Sequence, residues 1–358
     1  MFLNKNLNCL KKSYIFFFLI VLFININICK AHSSNFKVEG VKITEPFNPN
    51  FKKEIVIDKA ILIAFKKLLS MTIPSDEMYK IPNFDVDEIK NLIDSFNIKD
   101  EEFINNSYNA TFEINFNKQN SFLFIEKKNI FPSLPVKKKI IIFPILVDTL
   151  SGNANIFYQN PFFANWNSNT EDFHLLDYIL PSEDIDVIKT LNDNLENLEN
   201  FDFSQIIKKY NFNEYIICLI YPQKDNMKVF SKIMFNNKFK INNKSFTYEN
   251  IASLENVENL IRKIKLQYED EWKKNNRINR SVKLPINLAM SSSEYKKNED
   301  FENFLSSSDL VSNYSIKNFN NKEINYKIIF NGSPNQFLNI AANKNFLIDT
   351  KDQVWKVK

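Results

Sequence analysis

Glycine is nearly missing from this chain. Gly40, Gly152 and Gly332 are the only 3 in 358 residues, so no glycine-rich loop can gather backbone amides around a phosphate. The 2 histidines, His32 and His174, are too few for a histidine-based zinc site. The 3 cysteines, Cys9, Cys29 and Cys218, exclude a disulfide framework. No serine has glycines on both sides of it, so the strained nucleophile turn of hydrolases is also absent. Neither a cofactor nor a metal is expected. What remains is ordinary: 44% hydrophobic and 25% charged residues, a globular composition long enough for two or three domains at roughly 150 residues each.

Residues 1–31 have the layout of a secretory signal peptide. Lys5, Lys11 and Lys12 form a positive start. An apolar stretch follows over 14–28, and Cys29-Lys30-Ala31 ends it with a small residue at the cut site. The apolar run is about 15 residues, shorter than the roughly 20 that a spanning helix needs. Export to the periplasm follows. The alternative is an uncleaved helix anchoring the protein in the inner membrane, which would be its only membrane contact. A lipid anchor on Cys29 is disfavoured, because Ile26-Asn27-Ile28 lacks the small residue wanted before it. The net charge is +4. Losing Lys5, Lys11, Lys12 and Lys30 takes the 46 basic residues to 42, level with the 42 acidic ones. A neutral mature chain has no general drive toward nucleic acid, which is not expected as a partner.

The mature chain divides into three modules of α+β or α/β type. The first covers 36–135. Phe36, Val38, Val41 and Ile43 read as a strand with a bend at Gly40. Ala60, Ile61, Ala64, Phe65 and Leu68 give a helix over 53–70. Val86, Ile89, Leu92, Ile93 and Phe96 read as a second helix, alternation over 111–116 as a strand, and 121–128 as a third helix. The order is strand, helix, helix, strand, helix. The second module covers 137–279. It holds continuous apolar strands over 140–147 and 215–221, buried on both faces. An alternating strand lies at 228–235. A long helix over 254–273 carries a core-facing stripe of Leu254, Val257, Ile261, Ile264, Tyr268 and Trp272. The third covers 281–358 and follows the ferredoxin-like βαββαβ order.

Few residues suggest chemistry. His174 has Glu171, Asp172 and Asp177 nearby for an acid–histidine pairing. Asp184 and Asp186 offer a carboxylate pair for acid–base work, but a helix start accounts for them as well, since acids favour helix N-termini. A calcium loop does not fit, lacking glycine at its sixth position and glutamate at its twelfth. Tyr158, Phe162 and Trp166, with Phe157 and Phe163, make an aromatic loop. Exposed, it is a candidate binding loop; packed down, it pins strand ends. Cys218, in an apolar strand, reads as a buried thiol.

Several of these motifs fall in a recognisable order. They run from Phe36-Lys37-Val38-Glu39-Gly40-Val41 to Ala60, Ala64, Leu68 and Leu69, then Tyr108 and Ala110 leading into Phe116. Phe143-Pro144, Asn160-Pro161-Phe162 with Trp166, and stretches 181–186 and 210–219 continue the order, which closes on Gly332-Ser333-Pro334 and Trp355. So arranged, the chain resembles the exported bacterial proteins grouped as domain-of-unknown-function family 2066, over nearly its whole mature length. It departs at Phe162, where the family often has Trp, at Ser182, where it has Gly, and at Ser70, where it has Arg. The resemblance implies a bacterial cell-envelope protein and carries no activity or site residues. The middle module is similar, at fold level alone, to small α/β domains of envelope lipoproteins such as those of curli export and penicillin-binding-protein activation. The leading expectation is a non-enzymatic envelope protein working through an unidentified protein partner. The alternatives are a carboxylate-dependent hydrolase using Asp184 and Asp186, and a small-ligand or lipid carrier.

Overall fold

The computed structural model describes residues 36–149, 151–168, 173–224, 226–247, 253–280 and 282–358. The export signal expected over 1–31, His32, Glu171 and Asp172 lie outside the described residues. The described chain is mixed α+β, with three sheets. Among the described residues no helix is long and apolar enough to cross a membrane.

The first sheet is antiparallel, in the order β1-β3-β2, from β1 (Lys37–Pro46), β2 (Ile93–Ile104) and β3 (Ser107–Phe116). Gly40, at φ +69°, sits where the β1–β3 register shifts between Val38 and Val41; a bulge there needs the left-handed backbone that glycine adopts without cost. Helix α1 (Lys53–Thr72) buries Ala60, Ala64, Phe65, Leu68 and Leu69 against this sheet's core. It stops at Ile73, whose backbone is extended, as the residue before Pro74 should be.

The second helix is shorter than its apolar spacing implies. Helix α2 is Val86–Lys90, and Ile93 and Phe96 belong to β2 instead. The order is therefore strand, helix, helix, strand, strand, helix, closed by α3 (Lys118–Lys127). Strand β2 lies at the sheet edge and is exposed along almost all its length, so it carries none of the alternation that marks a half-buried strand.

The central sheet runs β5-β4-β7-β8-β9, with β6 on β4. Its strands are β4 (Lys138–Asp148), β5 (Asn153–Asn155), β6 (Leu176–Ile179), β7 (Tyr215–Pro222), β8 (Asn226–Phe235) and β9 (Lys238–Thr247). β4 and β7 are parallel neighbours and buried on both faces. Helices α4 (Pro161–Asn165), α5 (Ile185–Asp193) and α6 (Ser204–Lys209) follow. α5 and α6 pack on one face of the sheet through Val187, Leu191, Ile206 and Ile207. The opposite face takes α7 (Leu254–Asn275), which buries Val257, Ile261, Ile264, Tyr268 and Trp272. Leu254, at the head of the expected stripe, is exposed. The α7 face of the sheet and the first module share one core. The boundary read at 135–137 thus separates two sheets but not two cores.

The third module has its own core. It contains β10 (Leu284–Ser291), α8 (Tyr295–Ser307), β11 (Val311–Phe319), β12 (Glu323–Phe330), α9 (Pro334–Asn343), β13 (Ile348–Asp349) and β14 (Trp355–Val357). The sheet order is β11-β12-β10-β14-β13. A ferredoxin-like sheet would end in one strand antiparallel to β10. Here the last strand is a short ribbon, and β14 lies parallel to β10 with β13 outside it. The fold is therefore a variant of the expected βαββαβ, made by the chain turning back after Asp349.

Candidate functional site

Helix α7 does more than fill a core. Lys265, Glu269, Asp270 and Lys273 on it are buried. Glu269 accepts the backbone N–H groups of Leu175 and Leu176 at 2.9 and 3.0 Å. Asp270 accepts the N–H of Ser75 at 2.9 Å and its hydroxyl. The Lys273 ammonium donates to the Ile73 carbonyl and to Asp270, at 3.2 and 3.1 Å. One helix therefore ties the turn after α1 to the start of β6. Burial raises the Glu269 carboxyl to about 7, against the lowering effect of its two N–H donors.

His174 stands beside this clamp, edge-on to the Phe173 ring at 5.0 Å. Burial, then the charges of Lys265 and Lys273, push its imidazole down to about 4. It lines a cleft of about 440 Å3 with Lys137, Asp177 and Lys265. An imidazole held neutral down to that pH is a weak base, poorly matched to proton transfer at neutral pH.

Asp184 and Asp186 lie with α5, on the other side of the central sheet from α7. Asp184 is the N-cap of α5, accepting the N–H of Asp186 at 2.8 Å and of Val187 at 3.3 Å. The Lys209 ammonium, 2.8 Å away, and then those N–H groups hold its carboxyl below the usual range. Asp186 points to solvent, its side chain 85% exposed. The pair is a helix start, with both carboxylates near the Lys209 ammonium, at 2.8 and 3.7 Å.

The aromatic loop is packed down. Phe162 and Trp166 are fully buried, and Phe157 and Phe163 nearly so; only Tyr158 is exposed. Asn160 is the pin. Its carbonyl oxygen accepts the N–H of Phe162 at 2.9 Å and caps α4. Its amide donates to the carbonyls of Pro144 and Asn155, at 2.9 and 3.1 Å. β5 and β6 occupy opposite ends of one edge of β4, and Asn160 fills the notch between them. Phe162 then enters one core and Phe163 the other. Cys218 is buried in β7, and burial pushes its thiol up to about 12.

Strand β9 of the hairpin β8–β9 is exposed at most of its positions, and no sequence expectation covered it. α5 and α6 cover β4 and β7, and Phe230 and Lys232 of β8 are also buried on that side, so the open strand is β9. On their side of the sheet, Tyr215, Met234 and Phe239 fall in register across β7, β8 and β9, and so do Ile217, Lys232 and Ile241. Phe239 and Ile241 are 52% and 53% exposed. Lys232 lies along this face, its ammonium turned back to the Phe201 carbonyl at 2.7 Å. β9 ends the sheet, so among the described residues no strand pairs with the outer side of its backbone. The readable signal was Asn236-Asn237, a two-residue turn between extended segments; both adopt positive φ, 50° and 59°, as a type I′ hairpin requires.

Comparison with protein-family models and with curated proteins found no match to this chain.

Proposed function

We propose that this is an exported cell-envelope protein that works through protein contacts, with the β8–β9 face as its contact surface. The observation that carries the reading is the exposed pair Phe239 and Ile241, in register with half-buried Met234 and buried Lys232, at the end of a well-packed sheet. Exposed apolar patches on folded domains mark interaction sites more often than chance. The order of charge, apolar run and small residue in 1–31 supports export. The resemblance to family 2066 is part of the proposal and adds no site residues.

Contact is preferred to the carboxylate hydrolase because Asp184 and Asp186 serve as a helix cap and its neighbour. It is preferred to the carrier because Phe162 and Trp166 are fully buried as part of a core. The test is crosslinking of the full chain in its own cells, purification through a C-terminal tag, and mass spectrometry. A reproducible envelope protein, lost when Phe239 and Ile241 are both changed to Ser, is the expected result. Recovery of the chain alone overturns the reading.

A further inference from the structure

The edge strand β9 specifies the chemistry of what it can pair with. Its residues alternate between two faces. Phe239 and Ile241 share the face of Phe230 and Met234. Lys238, Lys240 and Lys244 point the other way, with Phe246, toward the α7 side. That placement is confirmed by Lys240, which pairs with Glu271 of α7 at 2.5 Å. Lys238 and Lys244 have no carboxylate partner among the described residues, and β9 carries no acid.

The backbone of β9 is equally definite. The two-residue turn closes with Phe235 opposite Lys238, and in a hairpin of this type that pair is hydrogen-bonded. Bonding then alternates, so 238, 240, 242 and 244 use their N–H and C=O groups on β8. The N–H and C=O groups of Phe239, Ile241, Asn243 and Ser245 point outward, where no described strand meets them.

We infer that β9 takes an added strand from a partner protein, an extended segment with aliphatic residues on one face and Asp or Glu on the other. The aliphatic face would extend the patch of Phe239 and Ile241, and the acids would lie beside Lys238 and Lys244. Six residues of strand separate those two lysines by about 20 Å, so a segment of roughly eight residues is needed to meet both. Main-chain bonds along the edge supply affinity in this mode, and side-chain alternation supplies selectivity. Lysines on an edge also guard against indiscriminate pairing. The two roles agree here, since a lysine edge rejects basic or neutral strands and accepts an acidic one. This inference rests on the contact reading above and adds the partner's chemistry and binding mode.

The probe is a fluorescein-labelled peptide of four Glu-Val repeats, with four Lys-Val repeats as its counterpart, titrated by fluorescence anisotropy against the purified mature chain. The Glu-Val peptide is expected to bind about tenfold or more tightly than the Lys-Val peptide at low salt, and more weakly as salt rises. Asn243→Pro removes an outward N–H and no bond to β8, and should weaken Glu-Val binding about tenfold with the melting temperature little changed. Should that variant fail to fold, Lys238→Glu with Lys244→Glu provides the second test, reversing the preference between the peptides. Equal binding of both peptides, or none by either, overturns the inference. A partner that still crosslinks at the β8–β9 face under those outcomes would leave the contact reading standing and remove only the added strand.

Discussion

Glu269→Gln isolates one buried charge. The side chain is 1% exposed, so solvent screens little of the cost of ionising it. Burial raises its carboxyl from 4.5 to about 7 in the folded chain. The folded state thus holds this proton more tightly than the unfolded state. Its contribution to stability is complete below pH 4.5 and is lost as pH rises through 7. With those two midpoints, the loss between pH 5 and pH 8 is ~2.5 kcal/mol. Glutamine cannot ionise and removes that dependence. It keeps one oxygen for the N–H groups of Leu175 and Leu176 and places its own NH₂ near the other, a cost of roughly 1–2 kcal/mol at every pH. The variant should therefore be less stable than the parent at pH 5, by ~0.7 kcal/mol, and more stable at pH 8, by ~1.8 kcal/mol. Urea unfolding of both proteins at pH 5, 6, 7 and 8 measures this, and subtraction cancels every other titrating group. A difference that changes by less than about 0.5 kcal/mol over that range would refute a buried, ionisable clamp.

Other outcomes follow from the same geometry. His174 should titrate near pH 4 by NMR rather than near 6.5; its folded midpoint is depressed, so its contribution to stability is lost as pH falls from 6.5 through 4. A midpoint above 6 would show an imidazole open to water. Asn160→Ala removes a helix cap and strands the carbonyls of Pro144 and Asn155, which should cost ~3 kcal/mol in denaturant melts; a loss under ~1 kcal/mol would mean that water replaces the amide. Asp184→Ala removes one helix cap and strands no buried carbonyl, so it should destabilise less than Asn160→Ala in the same melts; a loss as large would point to a role beyond α5.

Burial decided what was legible in the sequence. β4 and β7 are covered on both faces and read as unbroken apolar runs; α7 shows its stripe because a whole face meets a core. β2 and β9 are edge strands, wet on most positions, and water imposes no period on them. Leu92, Ile93 and Phe96 match helical spacing by composition, and sheet pairing with β3 overrides that local fit. The ribbon of β13 and β14 is too short for any pattern. Glu269 was invisible for a related reason. A charged residue beside an apolar stripe normally marks the solvated face, and only the approach of Leu175 and Leu176 turns it inward. The helix start at Asp184 was legible, because caps are set by near neighbours; the capping role of Asn160 was not, since its other two bonds reach carbonyls set by the sheet.

Photocrosslinking at position 241 tests the contact surface most directly. A benzophenone amino acid replaces Ile241 in one strain and Tyr158, more open to solvent but away from β9, in another. Both are irradiated in intact cells. The account predicts one dominant adduct from position 241 that is missing from position 158 and disappears when Asn243→Pro is added. The same adducts from both positions, or none from 241, would contradict it.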